Sequence, residues 1–388
     1  MLTYDPLRCY SVNVFNCFMK KVKFVSSSIH EQDFATAVRK NVNDYFRDKG
    51  ISTKGNLLMF IQTAAMLSIY IAPLILIILL PMNAWIALIL AVLIGVGMAG
   101  VGMTVMHDAV HGSYSKKEWV NKIFGGTMYL MGSSVITWKI QHNYLHHAFT
   151  NIEGSDQDIT SKGFIRLSEH TPVKKINRYQ YIHAFLFYGF MTISKLINDF
   201  TQLNTFKKAE ATRKHVAHPS WELAKMIIVK SLYVFVFIGL PMLFTTFTWW
   251  QILIGFFIMH WVAGCIMSTI FQMAHIVEIV NQPVTTPQGT IEHEWAVHEV
   301  QTTADFARKN LFLFWYIGGL NFQIEHHLFP NICHIHYRKI APIVEKTIRE
   351  FGYQYNLKPT FLKALQSHVR RLKELGRPSD SMSNELGH

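Results

Sequence analysis

The chain has 388 residues, of which 50% are hydrophobic and only 16% are charged, and its formal net charge at neutral pH is +12. Soluble domains usually carry about 25% charged residues, so this composition excludes an ordinary soluble protein. The positive charge would suit anionic lipid headgroups. It would also suit nucleic acid, but no nucleic-acid-binding motif accompanies it, and we expect no such partner.

The first 56 residues are polar and of mixed charge, without the compact apolar stretch of a cleavable signal peptide. Phe34, Val38, Val42 and Phe46 recur at helical spacing within them. We therefore predict a partly helical cytoplasmic lead-in.

Long runs without charged residues predict four transmembrane helices. These runs lie at 57–80, 84–106, 231–247 and 249–273. Each can supply the roughly 20 residues that a spanning helix needs, provided that the third helix begins near Lys225 or Lys230. Composition and length together predict a polytopic membrane protein.

The distribution of lysine and arginine predicts the orientation of these helices. The links at 81–83 and 245–248 contain neither residue, whereas the N-terminal segment, residues 107–224 and the chain after 274 are rich in both. Basic residues concentrate on the cytoplasmic side of membranes. We therefore predict two hairpins that turn on the outer side, with both termini cytoplasmic.

Shorter apolar segments complete the fold prediction. The pattern favours an interfacial or re-entrant helix over 122–138, surface-lying segments at 179–200 and 311–320, helical structure over 338–370, and a disordered tail from about Gly376. The predicted fold class is an all-α integral membrane protein with four transmembrane helices in two hairpins and a cytoplasmic helical cap. We divide it into a lead-in (1–56), a membrane and catalytic domain (57–345) and a C-terminal tail (346–388).

Histidines cluster where the predicted spans return to the inner side. The clusters are His107 and His111 in HDAVH, His142, His146 and His147 in HNYLHH, His275 after the fourth span, and His326 and His327 in QIEHH, which begins at Gln323. Residues three or four apart share one face of a helix, so each motif can present several donors to one point. Eight imidazoles and one amide exceed the about four to six donors of one metal ion and suit two.

The donor types narrow the choice of metal. Structural zinc sites favour cysteine, but the four cysteines here form no CxxC pair. A zinc peptidase would show HExxH, and the nearest string, from His293 to His298, is one residue too long. An imidazole-rich pair of irons remains. Such a centre can use O2 to attack an unactivated C–H bond, and its place beside the bilayer suggests a lipid chain as substrate.

HDAVH, HNYLHH and QIEHH resemble the three histidine boxes of the membrane fatty-acid desaturases, and the resemblance extends over about 57–345. Glutamine at the start of the third box is typical of the front-end subgroup. The resemblance implies an O2-dependent acyl desaturase with two iron ions. It implies that His107, His111, His142, His146, His147, His326 and His327 are iron ligands and that His275 is a further one. Gln323 could bind iron, hold a water or only support the site.

The resemblance also implies partners. Many front-end enzymes carry an N-terminal cytochrome b5 domain with an HPGG motif, whereas the only His-Pro pair here, His218-Pro219, is followed by Ser220. We therefore expect no fused domain and an external electron donor, either ferredoxin or free cytochrome b5. The substrate is an acyl-CoA or an acyl-lipid. Four basic residues, Lys139, Lys174, Lys175 and Arg178, would suit the phosphates of either one.

Residues near the boxes are candidates for supporting roles. Carboxylates can orient ligating imidazoles, and the candidates are Asp108, Asp156, Asp158 and Glu325. Four histidines are weaker candidates: His293, His298, His334 and His336. His260 lies inside a span and should hydrogen-bond within the protein. Trp138, Tyr144 and Phe149 either line an acyl channel or anchor the protein at the interface.

Two alternatives remain open. The same iron pair could hydroxylate an alkyl chain, and ligand spacing does not separate the two reactions, although QIEHH favours desaturation. A membrane metal carrier or sensor is the second alternative. Transport would predict ionisable residues along the spans, but the first two spans have none.

Overall fold

The computed structural model describes residues 22–26, 28–160, 163–209 and 212–378. Its helices are α1 (Ile29–Lys49), α2 (Leu57–Leu79), α3 (Ala84–Val110), α4 (Glu118–Gly125), α5 (Val135–Lys139), α6 (Gln180–Tyr188), α7 (Phe190–Lys208), α8 (Pro219–Phe244), α9 (Trp249–His275), α10 (Trp295–Thr302), α11 (Leu311–Tyr316), α12 (Gln323–Leu328), α13 (Tyr337–Glu350) and α14 (Phe361–Leu375). Short parallel pairings join β1 (Lys23–Phe24) to β2 (Thr290–Ile291), with Lys23 opposite Thr290, and β3 (Asp305–Phe306) to β4 (Leu357–Lys358), with Asp305 opposite Leu357.

Four of these helices, α2, α3, α8 and α9, are long and apolar enough to cross a membrane. The protein is therefore a mostly helical, multi-pass membrane protein, which confirms the predicted four-span fold. The third span begins at Pro219, earlier than the sequence indicated. This span contains a charged residue, Lys230. It is accommodated because its ammonium is buried and pairs with the carboxylate of Asp199 in α7, at 2.9 Å.

Helix α3 packs against both α2 and α9 at the centre of the spans. Small residues permit this close approach. A side chain at Gly97 would clash with the α2 backbone at Tyr70, and one at Gly95 would lie 2.5 Å from the Met259 carbonyl of α9. Helices α3 and α9, which carry His107 and His275 at or near their C-terminal ends, are thereby brought together.

The other apolar segments are short helices with exposed apolar faces. The prediction of one helix over 122–138 is wrong in detail, because α4 gives way to a 3₁₀ turn at Gly126–Met131 and then, past the left-handed Gly132, to α5. Exposed apolar side chains on these segments are Trp119, Ile123, Ile182, Leu186, Ile197, Leu311 and Phe312. Such faces are typical of helices at a membrane interface.

The cap is built from α1 and the helices after α9. In α1 the predicted helical stripe is confirmed, since Phe34, Val38, Val42 and Phe46 are buried, and the helix packs against α13. The helical pattern predicted over 338–370 is present as two helices, α13 and α14. They are separated by Gly352 at a φ of 76° and by β4. The cysteines described, Cys265 and Cys333, are free, and most of the disordered segment predicted from about Gly376 lies outside the described residues.

Candidate metal centre

Each histidine motif is presented by an unusual or short helical segment. A π-helical stretch, Gly102–Met106, precedes His107 inside α3, and a second, Ile140–His146, carries the HNYLHH motif. In a π-helix the backbone bond runs from residue i+5 to residue i, and the His147 amide donates to the His142 carbonyl at 3.0 Å. His142 and His147 therefore face each other, with their Nε2 atoms 3.3 Å apart.

The first group, the four-histidine group, consists of His107, His111, His142 and His326. Their possible ligand atoms lie within 4.8 Å of one another. The Nε2 atoms of His107 and His142 are 3.2 Å apart. Segments from the second span, HNYLHH and QIEHH thus meet at one buried point.

The second group, the three-histidine group, consists of His146, His275 and His327, again with ligand atoms within 4.8 Å. His147 lies between the groups, because its ring centroid is 4.5 Å from that of His326 and 4.3 Å from that of His327. Seven of the eight predicted histidines, His275 included, therefore lie in two adjacent groups, and the eighth, His147, lies between them.

The ring nitrogens of these clusters fit metal ions. Seven buried nitrogens of the predicted donor set have no hydrogen-bond partner: His107 Nδ1, His111 Nε2, His147 Nδ1, His275 Nε2, His326 Nε2, His327 Nε2 and Gln323 Nε2. A buried polar atom without a partner is costly, and a metal ion at each cluster would satisfy the imidazoles. Gln323 is buried beside them, and its amide can be turned to offer oxygen instead of nitrogen.

Burial also sets the protonation state of these rings. Burial, together with neighbouring imidazoles, lowers the pKa of His111, His142, His147, His326 and His327 well below the usual histidine value. They are therefore neutral at physiological pH, which is the form that binds metal.

His146 is different. Burial opposes its protonation, but the nearby carboxylates of Asp156 and Asp158 outweigh that effect and raise the pKa of His146 to about 9. Its Nδ1 is 3.0 Å from Asp156 Oδ2 and 3.6 Å from Asp158 Oδ2. The supporting contacts predicted for these two aspartates are therefore present, and they engage Nδ1. Nε2 is left as the nitrogen that could reach a metal ion, and the ion would displace the proton that the raised pKa keeps on the ring.

The other two carboxylates predicted to support the site, Asp108 and Glu325, hydrogen-bond to residues outside the two histidine groups. Asp108 Oδ2 accepts hydrogen bonds from the Cys333 thiol at 3.0 Å and from His334 Nδ1 at 2.8 Å. Glu325 accepts a hydrogen bond from the Tyr355 hydroxyl at 2.9 Å. These carboxylates tie the cap to the helices that carry the boxes and do not hydrogen-bond to a ring of either group.

The weaker histidine candidates have partners elsewhere. His298 Nε2 lies 2.9 Å from the Thr150 carbonyl, His293 pairs with Glu31, and His336 lies against the Lys54 carbonyl. His260 is bound as predicted within the protein, 2.8 Å from the Tyr233 hydroxyl and 3.0 Å from the Thr192 hydroxyl.

Three contacts to the histidine groups were not anticipated from the sequence. Glu299 Oε2 lies 2.7 Å from His327 Nδ1, the Thr150 hydroxyl lies 3.2 Å from the same nitrogen, and the Tyr337 hydroxyl lies 3.1 Å from His326 Nδ1. Thr150 and His327 are 177 positions apart in the chain. No local spacing could therefore have indicated that pairing.

A cavity of about 360 Å³ opens beside the four-histidine group. His142 and Trp138 lie at its metal end, and their rings stack at a centroid distance of 4.3 Å. Six lining residues are methionines, called the methionine wall below: Met98, Met106, Met128, Met131, Met191 and Met267. The lining also includes polar residues, called the polar wall below: Gln141, Gln157, Asp158, Lys195 and Gln202. Of the three aromatic residues considered for an acyl channel, Trp138 lines this cavity, while Tyr144 stacks on His215 and Phe149 on Phe24.

Four apolar spans, with two adjacent histidine clusters gathered at one end of them, define a multi-pass membrane protein that could hold metal ions beside a largely apolar cavity. The family profile described as fatty acid desaturase matches residues 83–359. The chain belongs to the fatty acid desaturase family and is a fatty acid desaturase enzyme.

Three relatives match at least 88% of this chain. The chain is 34% identical to the sn-1 linoleoyl-lipid 6-desaturase of Arthrospira platensis, over 88% of this chain and 92% of that protein. It is 32% identical to the protein of the same name from Synechocystis sp., over 93% and 99% of the two chains. It is 33% identical to the acyl-lipid (8-3)-desaturase of Physcomitrium patens, over 92% of this chain and 74% of that one.

Proposed function

We propose that this protein is a front-end acyl-lipid desaturase that uses two irons and O2 to insert a double bond into the acyl chain of a membrane glycerolipid. The observation that carries the proposal is the convergence of eight imidazoles, seven in two adjacent groups and His147 between them, beside a largely apolar cavity. The relatives named above support an acyl-lipid over an acyl-CoA, because their names specify lipid-linked substrates.

We assign the four-histidine group to one iron and the three-histidine group to the other, with His147 between them and Gln323 as a supporting or direct donor. When bound, the irons would supply the activation of O2 that removes a hydrogen from each of two neighbouring methylenes, with two electrons from a carrier and two protons, and with water as the second product. Imidazole ligands suit iron.

The side chains around the cavity position the substrate. The methionine wall gives a flexible apolar surface that can follow a bent acyl chain and exclude water. The polar wall would face the ester end, where Lys195 donates a hydrogen bond to Gln141 Oε1 at 2.6 Å. Holding the chain beside His142 places the reacting methylenes against the metals.

We infer that the metal centre is cytoplasmic. The hairpin links at 81–83 and 245–248 lack lysine and arginine, and both histidine groups lie at the opposite ends of the spans. An acidic electron carrier, ferredoxin or cytochrome b5, would then meet a basic protein surface. Residues introduced as single exposed cysteines in the two links should react with an impermeant thiol reagent from outside intact cells, whereas cysteines on α13 should not.

The alternatives have less support. Hydroxylation would need the same metals, but the relatives are named as desaturases. For a metal carrier, a polar path would have to cross the bilayer. The ionisable Lys230 is instead locked to Asp199 and to the carbonyls of Gly132 and Lys195, at 2.6–2.9 Å.

The test is expression of the full chain in a host that supplies linoleoyl glycerolipids, followed by location of new double bonds by mass spectrometry. We expect a product that has lost two hydrogens, with the new bond between an existing double bond and the carboxyl end. His142→Ala should give no product, whereas His218→Ala, at an exposed histidine that belongs to neither group, should match the wild type. A product that has gained one oxygen would establish the hydroxylase instead.

A further inference from the structure

The two histidine groups differ in what lies behind their rings. In the three-histidine group, carboxylate oxygens lie 2.7 Å from His327 Nδ1 and 3.0 Å from His146 Nδ1. In the four-histidine group, the shortest such distance among the described residues is 3.9 Å, from His107 Nδ1 to Asp108 Oδ1. That distance is beyond hydrogen-bond length.

The carboxyl group behind His327 belongs to Glu299 of α10, a residue with no exposed surface. Its Oε2 is 2.7 Å from His327 Nδ1 and 2.9 Å from the Thr150 hydroxyl. With Nδ1–H donating to Oε2, the unshared pair of His327 is on Nε2, the nitrogen that has no partner and is buried among the other rings. Glu299 therefore fixes both the tautomer and the rotation of this ring.

The contact does not depend on the charge of Glu299. Burial raises the pKa of the Glu299 carboxyl well above its usual value. Oxygen Oε2 can nevertheless accept Nδ1–H from either the acid or the carboxylate, because a protonated carboxyl keeps one acceptor oxygen. Orientation of His327 is thus a geometric effect.

We propose that Glu299 is a positioning residue that acts on one metal position only, the one formed by His146, His275 and His327. This proposal rests on the two-metal centre of the proposed function. At the other metal position, formed by the four-histidine group, the corresponding support is a neutral hydroxyl. The Tyr337 hydroxyl lies 3.1 Å from His326 Nδ1. The two positions are therefore held by separate supports, and removing one support should weaken one metal.

The experiment compares variants of the full-length protein in detergent, loaded anaerobically with ⁵⁷Fe(II). Iron per chain is measured against a competing chelator, and each sample is also examined by Mössbauer spectroscopy. We expect Glu299→Leu to weaken one of two irons by about 10–100-fold, the range for loss of a supporting contact, and to remove one spectral component. Glu299→Gln, which keeps an acceptor oxygen, should restore most of that binding.

Tyr337→Phe is the matched control, because it removes the support of His326 in the other group. It should diminish the other spectral component, and the double variant should lose both. Thr150→Val, which removes the hydroxyl that shares Oε2, should weaken the same component as Glu299→Leu by a smaller factor, and it provides the test if Glu299→Leu does not fold.

Several results would overturn the proposal. Equal weakening of both irons by Glu299→Leu or Thr150→Val, wild-type affinity in those variants, or failure of Glu299→Gln to restore binding would each do so. If the wild-type protein itself bound fewer than two irons, the proposed function would fail, and that result is distinct from a failure confined to Glu299.

Discussion

The second and third spans, α3 and α8, have similar mean hydropathy but different surroundings. In the most apolar stretch of each helix, 56% of the α3 residues are buried, compared with only 17% of the α8 residues. Helix α3 packs between α2 and α9 and ends in a π-helical segment that presents His107, while α8 contains no histidine. Hydropathy alone therefore identifies spans, but packing at their histidine-bearing ends determines which spans build the candidate metal site and which leave most of their surface exposed.

The largest expected effect follows from removing His107, near the C-terminal end of α3. His107→Ala removes a donor from the four-histidine group, and we expect product formation to fall by more than about 100-fold, the upper limit for loss of a mere supporting contact. The measurement is the desaturated fraction of membrane lipid, normalised to the amount of protein. Wild-type product from this variant would mean that α3 does not supply a ligand.

The next largest effect concerns the buried ion pair between Lys230 of α8 and Asp199 of α7. Lys230→Met leaves Asp199 buried without its cation, and we expect a loss of about 3–5 kcal/mol in stability. Asp199 also accepts hydrogen bonds from the Ser134 amide and the Thr137 hydroxyl at the start of α5, so the helix leading into HNYLHH should loosen too. Denaturant unfolding in detergent measures the change.

Lys225→Met on the same helix is the control for that variant. Its partner Glu222 is 2.8 Å away, but the Lys225 side chain is 31% exposed, and such pairs contribute less than about 1 kcal/mol. Equal destabilisation by the two variants would contradict a special role of the buried pair.

A smaller effect should follow from filling the cavity. Met131 is buried in the methionine wall, and Met131→Trp should lower kcat/KM for the longest acyl chains about 10-fold while affecting shorter chains less. Met242→Trp, at a methionine of α8 that is 44% exposed, should leave chain-length preference unchanged. Competition between acyl chains of different length in one assay measures the ratio.

How much of this architecture is predictable from sequence depends on the range of the interaction. The spans follow from apolar runs, and the histidine motifs follow from residues three to five positions apart. Glu299, Thr150 and Tyr337 could not be predicted, because their contacts with the rings arise only when distant segments fold together. The π-helical turn at Ile140–His146, which places His142 opposite His147, also has no simple sequence signal.

The smallest effect concerns Trp85, at the end of α3 opposite to His107. Trp85, at the start of α3, is 76% exposed, and Trp85→Ala should change stability by less than about 0.5 kcal/mol and leave the product unchanged. Activity assays alongside denaturant unfolding check both expectations. A large loss of activity would show that the N-terminal end of α3 takes part in catalysis.

The most direct test is anomalous diffraction at the iron edge from crystals of the iron-loaded protein. The account predicts two peaks, one among His107, His111, His142 and His326 and the other among His146, His275 and His327. One peak alone, or a peak in the cluster of Asp108, Cys333 and His334, whose polar atoms already bond to one another, would contradict it.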